Sequence, residues 1–573
     1  MPPMTKTLNA EPQNQYWPQI FKTAILRHPI LALVLLTLLF HLPGLTSLPP
    51  IDRDEARFAQ ATAQMLESGT FIDIRFQDQP RYKKPIGIYW LQSLSVHTLS
   101  TVENREIWAY RIPSFLGALM AVLLTFLGGR RLFGTPTALL GAAFLCTCLA
   151  LVVEASMAKT DAALLACITA AEMALGRIYC DARQGQNAKQ FGNPGLLALM
   201  FWAAIGISIL LKGPIGPVVI GLTLGALALT DRDVHWMKRL SWLPGIVILA
   251  VIVLPWTAAI WSLTDGAFFL KAADDILPKL TSSVESHWGP PLYYVALSPF
   301  LLWPGSLFFF PAAFIVWNRR AEPAIRFCLA WMVPSWFLFE LVPTKLPHYV
   351  LPAVPALTLL MALALTSGPA ALVQRSPLYR RLAWGGAAVW GIICALLAAA
   401  IVALPMLFGN GAGWTAALGA VLVLTTGLAT LSLFNRDRWR AAALGSLATA
   451  WITITILLQF TAPGLARLDV STRLAQLVHA ETEPDAPLVV AGHSEPSLVF
   501  LLGTKTTLTT GAGAADFLTQ HSNGIAIIEE RSQSAFQDRI ATAQLSVEIL
   551  AQLEGVNYSR GQNIVLTLYR RTK

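Results

Sequence analysis

Charged residues are scarce in this sequence. Asp, Glu, Lys and Arg make up 13% of its 573 residues, whereas soluble domains average roughly 25%. Hydrophobic residues make up 55%, which excludes an ordinary soluble protein and indicates a polytopic membrane protein. The formal net charge of +9 does not indicate nucleic-acid binding, because Lys and Arg occur in short clusters between apolar runs. Such clusters are a signal of membrane topology.

Cysteine is scarce as well. The six cysteines lie within apolar runs or, for Cys180, in a short polar connection. None lies in a large hydrophilic segment, so we expect no structural disulfide and no CxxC metal site. The pattern of a cleavable signal peptide is also missing, because the first apolar run follows a polar-to-mixed stretch and is too long for a signal core.

Apolar runs long enough to cross a bilayer are abundant. A spanning helix needs about 20 mostly apolar residues. This criterion predicts about thirteen spans, near 29–48, 112–129, 136–156, 161–178, 194–211, 214–230, 241–261, 292–316, 325–342, 349–366, 382–405, 413–434 and 441–460. Lys and Arg then fall on alternate connections, as at Arg130, Arg319 and Arg436. Because short basic loops stay in the cytoplasm, we predict a bacterial inner-membrane protein with a cytoplasmic N-terminus and a periplasmic C-terminus.

The predicted organisation has two parts. Residues 1–460 form a transmembrane domain whose first outer loop covers 49–111, and residues 461–573 form a small periplasmic α/β domain. The second part contains four segments with a pattern typical of strands, at 487–492, 524–530, 547–553 and 563–571. It also contains two segments typical of amphipathic helices, at 471–481 and 532–543. Alternating strands and helices indicate an α/β fold. The glycines of TGAGAAD (510–516) favour a turn before a helix over a phosphate loop.

Polar residues concentrate in the loops predicted to face outside. Six stretches carry them: RDEARFAQ (53–60), QPRYKKPIGIYW (79–90), AKTDAAL (158–164), LLKGPIGP (210–217), DDILPKLTSSVESHWGPPLYY (274–294) and PTKLPHYVLP (343–352). Charges beside a span are costly unless they are paired or bind a ligand, so an anion site would explain the outer Lys and Arg. The periodicity of DEARFAQATAQMLESG also predicts an amphipathic helix that ends at Gly69 and lies on the membrane.

Each of these charges also has a purely structural interpretation. Asp54 and Glu55 could be first-turn acids that favour a helix N-terminus. The Lys83-Lys84-Pro85 segment could be a surface turn before a helix. The other residues have simple explanations too. Asp161 could cap a helix and Lys212 could snorkel from the end of a span. His287 and His348 could be ordinary interfacial histidines. The common location of all these residues on one face is what favours a site.

In order and spacing, these stretches resemble motifs of bacterial GT-C glycosyltransferases that use polyprenyl-phosphate sugars. The resemblance covers roughly residues 28–365 and is carried by DEARFAQATAQMLESG, YKKPIGIYWLQ, KTDAAL, LLKGPIGP and KLPHYVLPAVPAL. It is strongest toward lipid A aminoarabinose transferases and more distant toward protein O-mannosyltransferases. It implies a GT-C fold, and sugar transfer from a polyprenyl-phosphate carrier to an envelope acceptor such as a lipid A-like glycolipid, another glycan or a protein.

The resemblance also implies roles for individual residues. The acids at the reaction centre match Asp54, with Glu55 beside it, and Asp161. The groups near the carrier phosphate match Arg57, Lys84, Lys345 and Tyr349.

The chain departs from the family at one position. The family commonly has Glu-Lys-Pro where this chain has Lys83-Lys84-Pro85, and that Glu takes part in metal binding in the aminoarabinose transferase. We interpret Lys83 as a replacement for the positive charge of the metal near the donor phosphate. If a divalent metal is required after all, the predicted ligands are His287, Asp274 and Asp275.

A lipid-phosphate donor predicts the type of reaction. The leaving phosphate needs positive charge, for which Arg57, Lys84 and Lys345 are candidates. The acceptor hydroxyl needs a base, for which Asp54 is the candidate, and the predicted outcome is inversion at the anomeric carbon. A transporter or flippase for a lipid-linked sugar is the alternative, mildly favoured by Glu172 inside a predicted span. Against it, the charges crowd one surface and no internal repeat is visible.

Overall fold

A computed structural model of the chain describes residues 26–183, 194–281, 288–368, 377–483 and 486–572. Its first part is built almost entirely from helices, which confirms the predicted α-helical polytopic fold. The helices are α1 (Pro29–Ser47), α2 (Asp54–Ser68), α3 (Gly87–Leu99), α4 (Ile107–Phe133), α5 (Thr135–Thr147), α6 (Leu149–Ala155), α7 (Asp161–Arg183), α8 (Pro194–Lys212), α9 (Ile215–Asp231), α10 (Trp242–Thr264), α11 (Ala267–Thr281), α12 (Tyr293–Leu301), α13 (Phe309–Asn318), α14 (Pro323–Leu341), α15 (Val354–Thr366), α16 (Pro377–Phe408), α17 (Trp414–Asn435) and α18 (Trp439–Thr455).

The predicted count of thirteen membrane spans is not confirmed. In the described part of the chain ten helices are long and apolar enough to cross a membrane, or up to twelve if each of two bent helix pairs is one span. Helix α9, expected as a span near 214–230, is apolar but has 17 residues, which is at the lower end of the length that crosses the hydrocarbon.

The two bent pairs meet each other inside the helical body. Helices α5 and α6 form an angle of 58°, and α12 forms an angle of 114° with the segment that ends in α13. At the bends, the Leu149 amide donates to the Trp303 carbonyl over 3.1 Å, and Trp390 Nε1 donates to the Pro304 carbonyl over 3.0 Å. Because unpaired backbone groups are very costly in a membrane, these contacts allow both helices to break at membrane depth.

The amphipathic helix predicted in the first outer loop is α2, which ends at Gly69 with φ +68°. Its apolar residues Phe58 and Met65 are buried against α3 and the membrane helices. Ala59 and Ala63 pack on its other side, in a cluster that includes Phe500 from the C-terminal part. Protein therefore covers both sides of α2, and its apolar face is not left open to lipid as the sequence suggested.

The C-terminal part is a small α/β unit, as the alternating pattern predicted. It contains α19 (Val470–Glu481), β3 (Leu488–Ala491), α20 (Pro496–Leu502), β4 (Thr507–Thr509), α21 (Gly511–Gln520), β5 (Ile525–Glu529), α22 (Gln533–Ala543), β6 (Val547–Asn557) and β7 (Gln562–Arg571), while the β1 (Arg75–Phe76) and β2 (Gln79–Pro80) hairpin lies in the first outer loop. The sheet order is β4-β3-β5-β7-β6, with β3 parallel to β4 and β5. Helix α20 and strand β4 were not predicted. The turn predicted before α21 is a helix cap, in which Thr510 Oγ1 accepts from the Gly513 amide.

This α/β unit docks on the first outer loop through polar contacts. Thr504 accepts a hydrogen bond from Gln60 Nε2 over 2.7 Å and donates to Glu67 over 2.6 Å. The rings of Tyr110 and Phe500 pack edge to face at 5.2 Å. The loop that carries Asp54 is therefore held between the membrane helices and the C-terminal unit.

Candidate active site

Glu55 and Arg111 form a fully buried ion pair beneath the first outer loop. Arg111 Nε and Nη2 donate to the two oxygens of Glu55 over 2.8 and 2.9 Å, and both side chains have 0% exposure. The Glu55 oxygens also accept from the Ile51 and Ala158 amides. Arg111 uses its remaining donors on backbone carbonyls of residues 45, 48 and 49. Both side chains are fully engaged in hydrogen bonds within the protein, so the role of Glu55 is structural.

Asp54 lies next to this pair but points to the surface. It occupies the first turn of α2 and is exposed. The preceding residue, Arg53, has φ +68°, a strained conformation for a residue with a side chain. Contacts from the C-terminal unit hold this segment, because Asp52 N donates to the Tyr558 hydroxyl and Arg53 Nη2 donates to the Ser559 carbonyl over 2.9 Å. The strain is therefore supported by a separate part of the chain.

Five ionisable residues from distant parts of the sequence meet beside Asp54, and we call them the charge cluster: Glu154, Lys159, Asp161, Lys212 and His348. Lys159 Nζ lies 3.0 Å from Glu154 and 4.0 Å from Asp161, and Lys212 Nζ donates to Asp161. His348 bridges the two acids, with Nδ1 3.4 Å from Glu154 and Nε2 3.6 Å from Asp161. We call the end of the helical body that carries this cluster the site end.

The charges of the charge cluster pair mainly with one another. Burial opposes the charge on Lys159, but the carboxylates of Glu154 and Asp161 outweigh it, so the pKa of Lys159 lies above its usual value. Asp54 adds to the same effect and is therefore within electrostatic range of Lys159. The arrangement fixes Asp161 between two ammonium groups, where it can orient neighbours. Asp54 remains the exposed acid at the margin.

Lys83 and Lys84 converge on Asp275 from α11. Lys84 Nζ lies 3.3 Å and Lys83 Nζ 3.9 Å from its two oxygens. Within the described ranges no three His, Cys, Asp or Glu residues are arranged to hold a metal. Asp274 is exposed beside this pair, and His287 lies outside the described residues. The carboxylate of Asp275 is thus shared by two ammonium groups.

Lys345 and Tyr349 are placed differently from each other. Lys345 Nζ donates to the Glu340 and Val342 carbonyls over 2.6 and 3.0 Å, so it neutralises the C-terminal end of α14 instead of facing the charge cluster. Tyr349 lies at the cluster, with Lys212 Nζ 5.9 Å from its ring centre. Asp54 and Asp275 are both within electrostatic range of Tyr349. Tyr349 therefore lies within range of the charge cluster, of Asp54 and of Asp275.

Comparisons with known proteins show which families and folds the chain resembles. Residues 83–261 match the family described as dolichyl-phosphate-mannose-protein mannosyltransferase. Undecaprenyl phosphate-alpha-4-amino-4-deoxy-L-arabinose arabinosyl transferase 2 of Pseudomonas fluorescens strain Pf0-1 is 28% identical over 320 residues, which are 54% of this chain and 55% of that protein. The chain thus spans little more than half the length of this curated relative.

Solved structures match over much more of the chain. ArnT from Cupriavidus metallidurans, bound to undecaprenyl phosphate, has a TM-score of 0.72 and 20% identity over 94% of this chain and 97% of that one. This chain has the ArnT fold. The oligosaccharyltransferase AglB from Archaeoglobus fulgidus, in complex with an inhibitory peptide and a dolichol-phosphate, has a TM-score of 0.50 and 12% identity over 89% and 70%. The predicted resemblance to GT-C glycosyltransferases is confirmed.

Within the ArnT fold, several residues of the site were not identified from the sequence. Glu154 and Lys159 complete the charge cluster, and Arg111 holds Glu55. Arg81 lies with its guanidinium carbon 5.1 Å from the ring centre of Phe58, and its Nε is buried with no hydrogen-bond partner in the described structure. The sequence offers one signal for Arg81, because it stands two residues before Lys83 in a predicted outer loop.

The docking of the C-terminal unit on the ArnT fold is predicted to depend on pH through Asp52. Burial raises the pKa of Asp52 from 3.8 to about 6, although the Ser497 amide donates to its carboxylate. Between these values the folded chain binds more protons than the unfolded chain, so the free energy of unfolding falls as pH rises through this window and stays lower above it. The loss is about 3 kcal/mol.

Asp52→Asn checks this expectation. Asparagine keeps an oxygen for the Ser497 amide but carries no charge, so the variant should unfold at a higher temperature than wild type above pH 6. At pH 4 the two proteins should be nearly equal. Thermal unfolding of purified protein at both pH values measures this, and a variant that keeps the wild-type pH slope would contradict the role of Asp52.

Proposed function

We propose that this chain is an inverting glycosyltransferase that transfers a sugar from a polyprenyl-phosphate carrier to an acceptor at the outer face of the bacterial inner membrane. The N-terminus is then cytoplasmic and the C-terminal unit periplasmic. The acceptor is a lipid A-like glycolipid, another glycan or a protein. The similar protein of Pseudomonas fluorescens, an arabinosyl transferase named for undecaprenyl phosphate, supports this class of donor.

One observation carries the proposal most directly. Next to the exposed acid Asp54, two guanidinium groups, those of Arg57 and Arg81, have no carboxylate within ion-pair distance among the described residues. The neighbouring lysines Lys159 and Lys212 are paired within the charge cluster. An anionic ligand would therefore meet two arginines that have no carboxylate partner, and arginine suits bidentate contact with phosphate.

These residues support the following chemistry. Arg57, Arg81 and Lys84 stabilise negative charge on the oxygen of the leaving lipid phosphate. Asp54 accepts the proton of the attacking acceptor hydroxyl. The charge cluster holds Asp161 and Tyr349 in place around the reacting groups. Because the hydroxyl displaces the phosphate directly, the configuration of the anomeric carbon inverts.

The proposal is tested with the purified full chain in liposomes that contain a radiolabelled polyprenyl-phosphate sugar and a crude envelope acceptor fraction. We expect labelled product together with free polyprenyl phosphate. Movement of labelled donor between leaflets without product would instead support the flippase. If the donor binds but neither product nor movement of the donor is detected, both functions are overturned.

Arg57→Gln is expected to weaken the use of the donor. Loss of a charge-assisted hydrogen bond costs about 1.5–3 kcal/mol, so the KM for the donor should rise by about 10- to 100-fold. Arg75→Gln is the matched control, since Arg75 is exposed in the same loop and pairs with Asp73. Equal effects of both variants on the donor KM would argue against a phosphate contact at Arg57.

A chelator is expected to leave transfer unchanged, because Lys83 and Lys84 occupy the carboxylate of Asp275. Activity is measured before and after treatment with excess EDTA, followed by addition of Mg²⁺, Mn²⁺ or Zn²⁺. Loss in the chelator with recovery by a single divalent ion would show that Lys83 does not replace a metal. The next variants to make would then change His287, Asp274 and Asp275.

A further inference from the structure

An apolar cleft lies at the end of the helical body opposite the site end, which we call the far end. Helix α9 runs from the site end to Asp231, and α14 starts at the far end and runs back toward Lys345. The cleft lies between these helices, α13 and α15, and has a volume of about 630 Å³. This is within the range of roughly 300–1,000 Å³ that is common for small-molecule sites.

The wall of the cleft is made of apolar side chains that extend to the middle of the helices. They include Val316 from α13, Leu329, Val333 and Pro334 from α14, and Leu357 and Leu360 from α15. Val333 is 50% exposed, and one and two turns further along α14 Phe337 and Leu341 are 62% and 63% exposed. Exposed apolar residues in a row on a membrane helix face hydrocarbon, so an acyl chain can enter the cleft from the bilayer.

The polar end of the cleft carries a positive charge that is not neutralised. Arg320 is exposed, its guanidinium carbon is 4.6 Å from the ring centre of Trp317, and Nη1 donates to the Trp317 carbonyl. Its neighbours Arg319 and Arg326 are paired with Glu322 and Asp231. Arg320 has no carboxylate within ion-pair distance in the described part of the chain. Tryptophan and arginine together are typical of the headgroup level of a membrane.

We propose that this cleft binds one anionic glycerophospholipid of the surrounding bilayer, with an acyl chain between α9, α13 and α14 and its phosphate on Arg320. Basic pockets between membrane helices bind anionic headgroups. A zwitterionic lipid would place its own cation close to Arg320 and gain less. Polyprenyl phosphate also carries an anionic phosphate, and competition between the two lipids distinguishes them. The site is separate from the proposed catalytic site, which lies at the other end of the helices.

Native mass spectrometry of the purified full chain tests the proposal, with phosphatidylglycerol and phosphatidylcholine of identical acyl chains titrated in detergent. We expect wild type to bind one phosphatidylglycerol on the order of tenfold more tightly than phosphatidylcholine, which corresponds to about 1.4 kcal/mol. Arg320→Gln should remove this preference. Arg436→Gln should keep it, because Arg436 is exposed after α17 at the same end but does not line the cleft.

A second variant tests the acyl-chain site without changing charge. Ala313 lines the cleft, and Ala313→Phe should weaken binding of both lipids by blocking it. Both variants are first checked for a monodisperse, helical protein, and Arg320→Gln decides if Ala313→Phe does not fold. Equal binding of the two lipids by wild type, equal losses in Arg320→Gln and Arg436→Gln, or unchanged binding in a folded Ala313→Phe would overturn the proposal. So would displacement of phosphatidylglycerol by a lower concentration of polyprenyl phosphate.

Discussion

Asp54→Asn is expected to reduce sugar transfer by about 10²- to 10⁴-fold, the range for removal of a general base. Binding of the donor should remain, because asparagine has the same shape and the arginines Arg57 and Arg81 are unchanged. Removing a negative charge next to a phosphate site would, if anything, tighten donor binding. The decisive measurement is therefore kcat for transfer together with a separate Kd for the polyprenyl-phosphate sugar.

A control variant in the same loop makes this result specific. Asp78 is exposed between β1 and β2, so Asp78→Asn removes the same charge from the same loop and should transfer at the wild-type rate. If Asp54→Asn keeps more than about a tenth of wild-type kcat, Asp54 is not the base. Equal losses in the two variants would point to the overall charge of the loop as the cause.

Arg111→Met is expected to lower the stability of the folded protein strongly. It leaves the carboxylate of Glu55 fully buried without a counterion, and breaking a buried pair in this way costs about 3–5 kcal/mol. Glu55 retains only the amides of Ile51 and Ala158. The measurement is the thermal unfolding temperature of the detergent-purified variant, compared with wild type at pH 7.

The double variant Glu55→Gln with Arg111→Met separates the two causes of this loss. Without a charge to bury, the double variant should recover part of the lost stability, and a double-mutant cycle gives the coupling between the residues. Additive losses would show that the two charges are not coupled. Transfer should stay impaired in the double variant, because the bidentate contact also fixes the start of α2, which carries Asp54.

The helical fold was largely predictable because its signal is local. Apolar runs of spanning length identify membrane helices regardless of how they pack. The bends at α5–α6 and α12–α13 were not predictable, because the helix breaks persist through contacts between positions far apart in sequence, such as the Leu149 amide and the Trp303 carbonyl. In the C-terminal unit, alternation predicted the long strands, whereas β4 has only three residues and is defined by its pairing with β3.

The candidate site was predictable only where motifs mark it. Asp54, Arg57 and Asp161 stand in loops whose composition is unusual for a membrane protein, and they remain predictions until activity is measured. Glu55 and Arg111 are 56 residues apart, and nothing in a single sequence indicates that they pair. Glu154 reads as the interior of an apolar run, although in the folded chain it faces Lys159 and His348. Pairing of buried charges is a property of the tertiary structure.

The contacts of Tyr558 and Ser559 with residues 52 and 53 have a consequence for biosynthesis. The segment that positions Asp54 leaves the ribosome 506 residues before its partners Tyr558 and Ser559. At about 5–20 residues per second, the first membrane helices wait tens of seconds for these partners. The newly inserted protein thus cannot hold Asp54 in its final position until Tyr558 and Ser559 have been made, and a nascent chain halted before Tyr558 should be inserted but inactive.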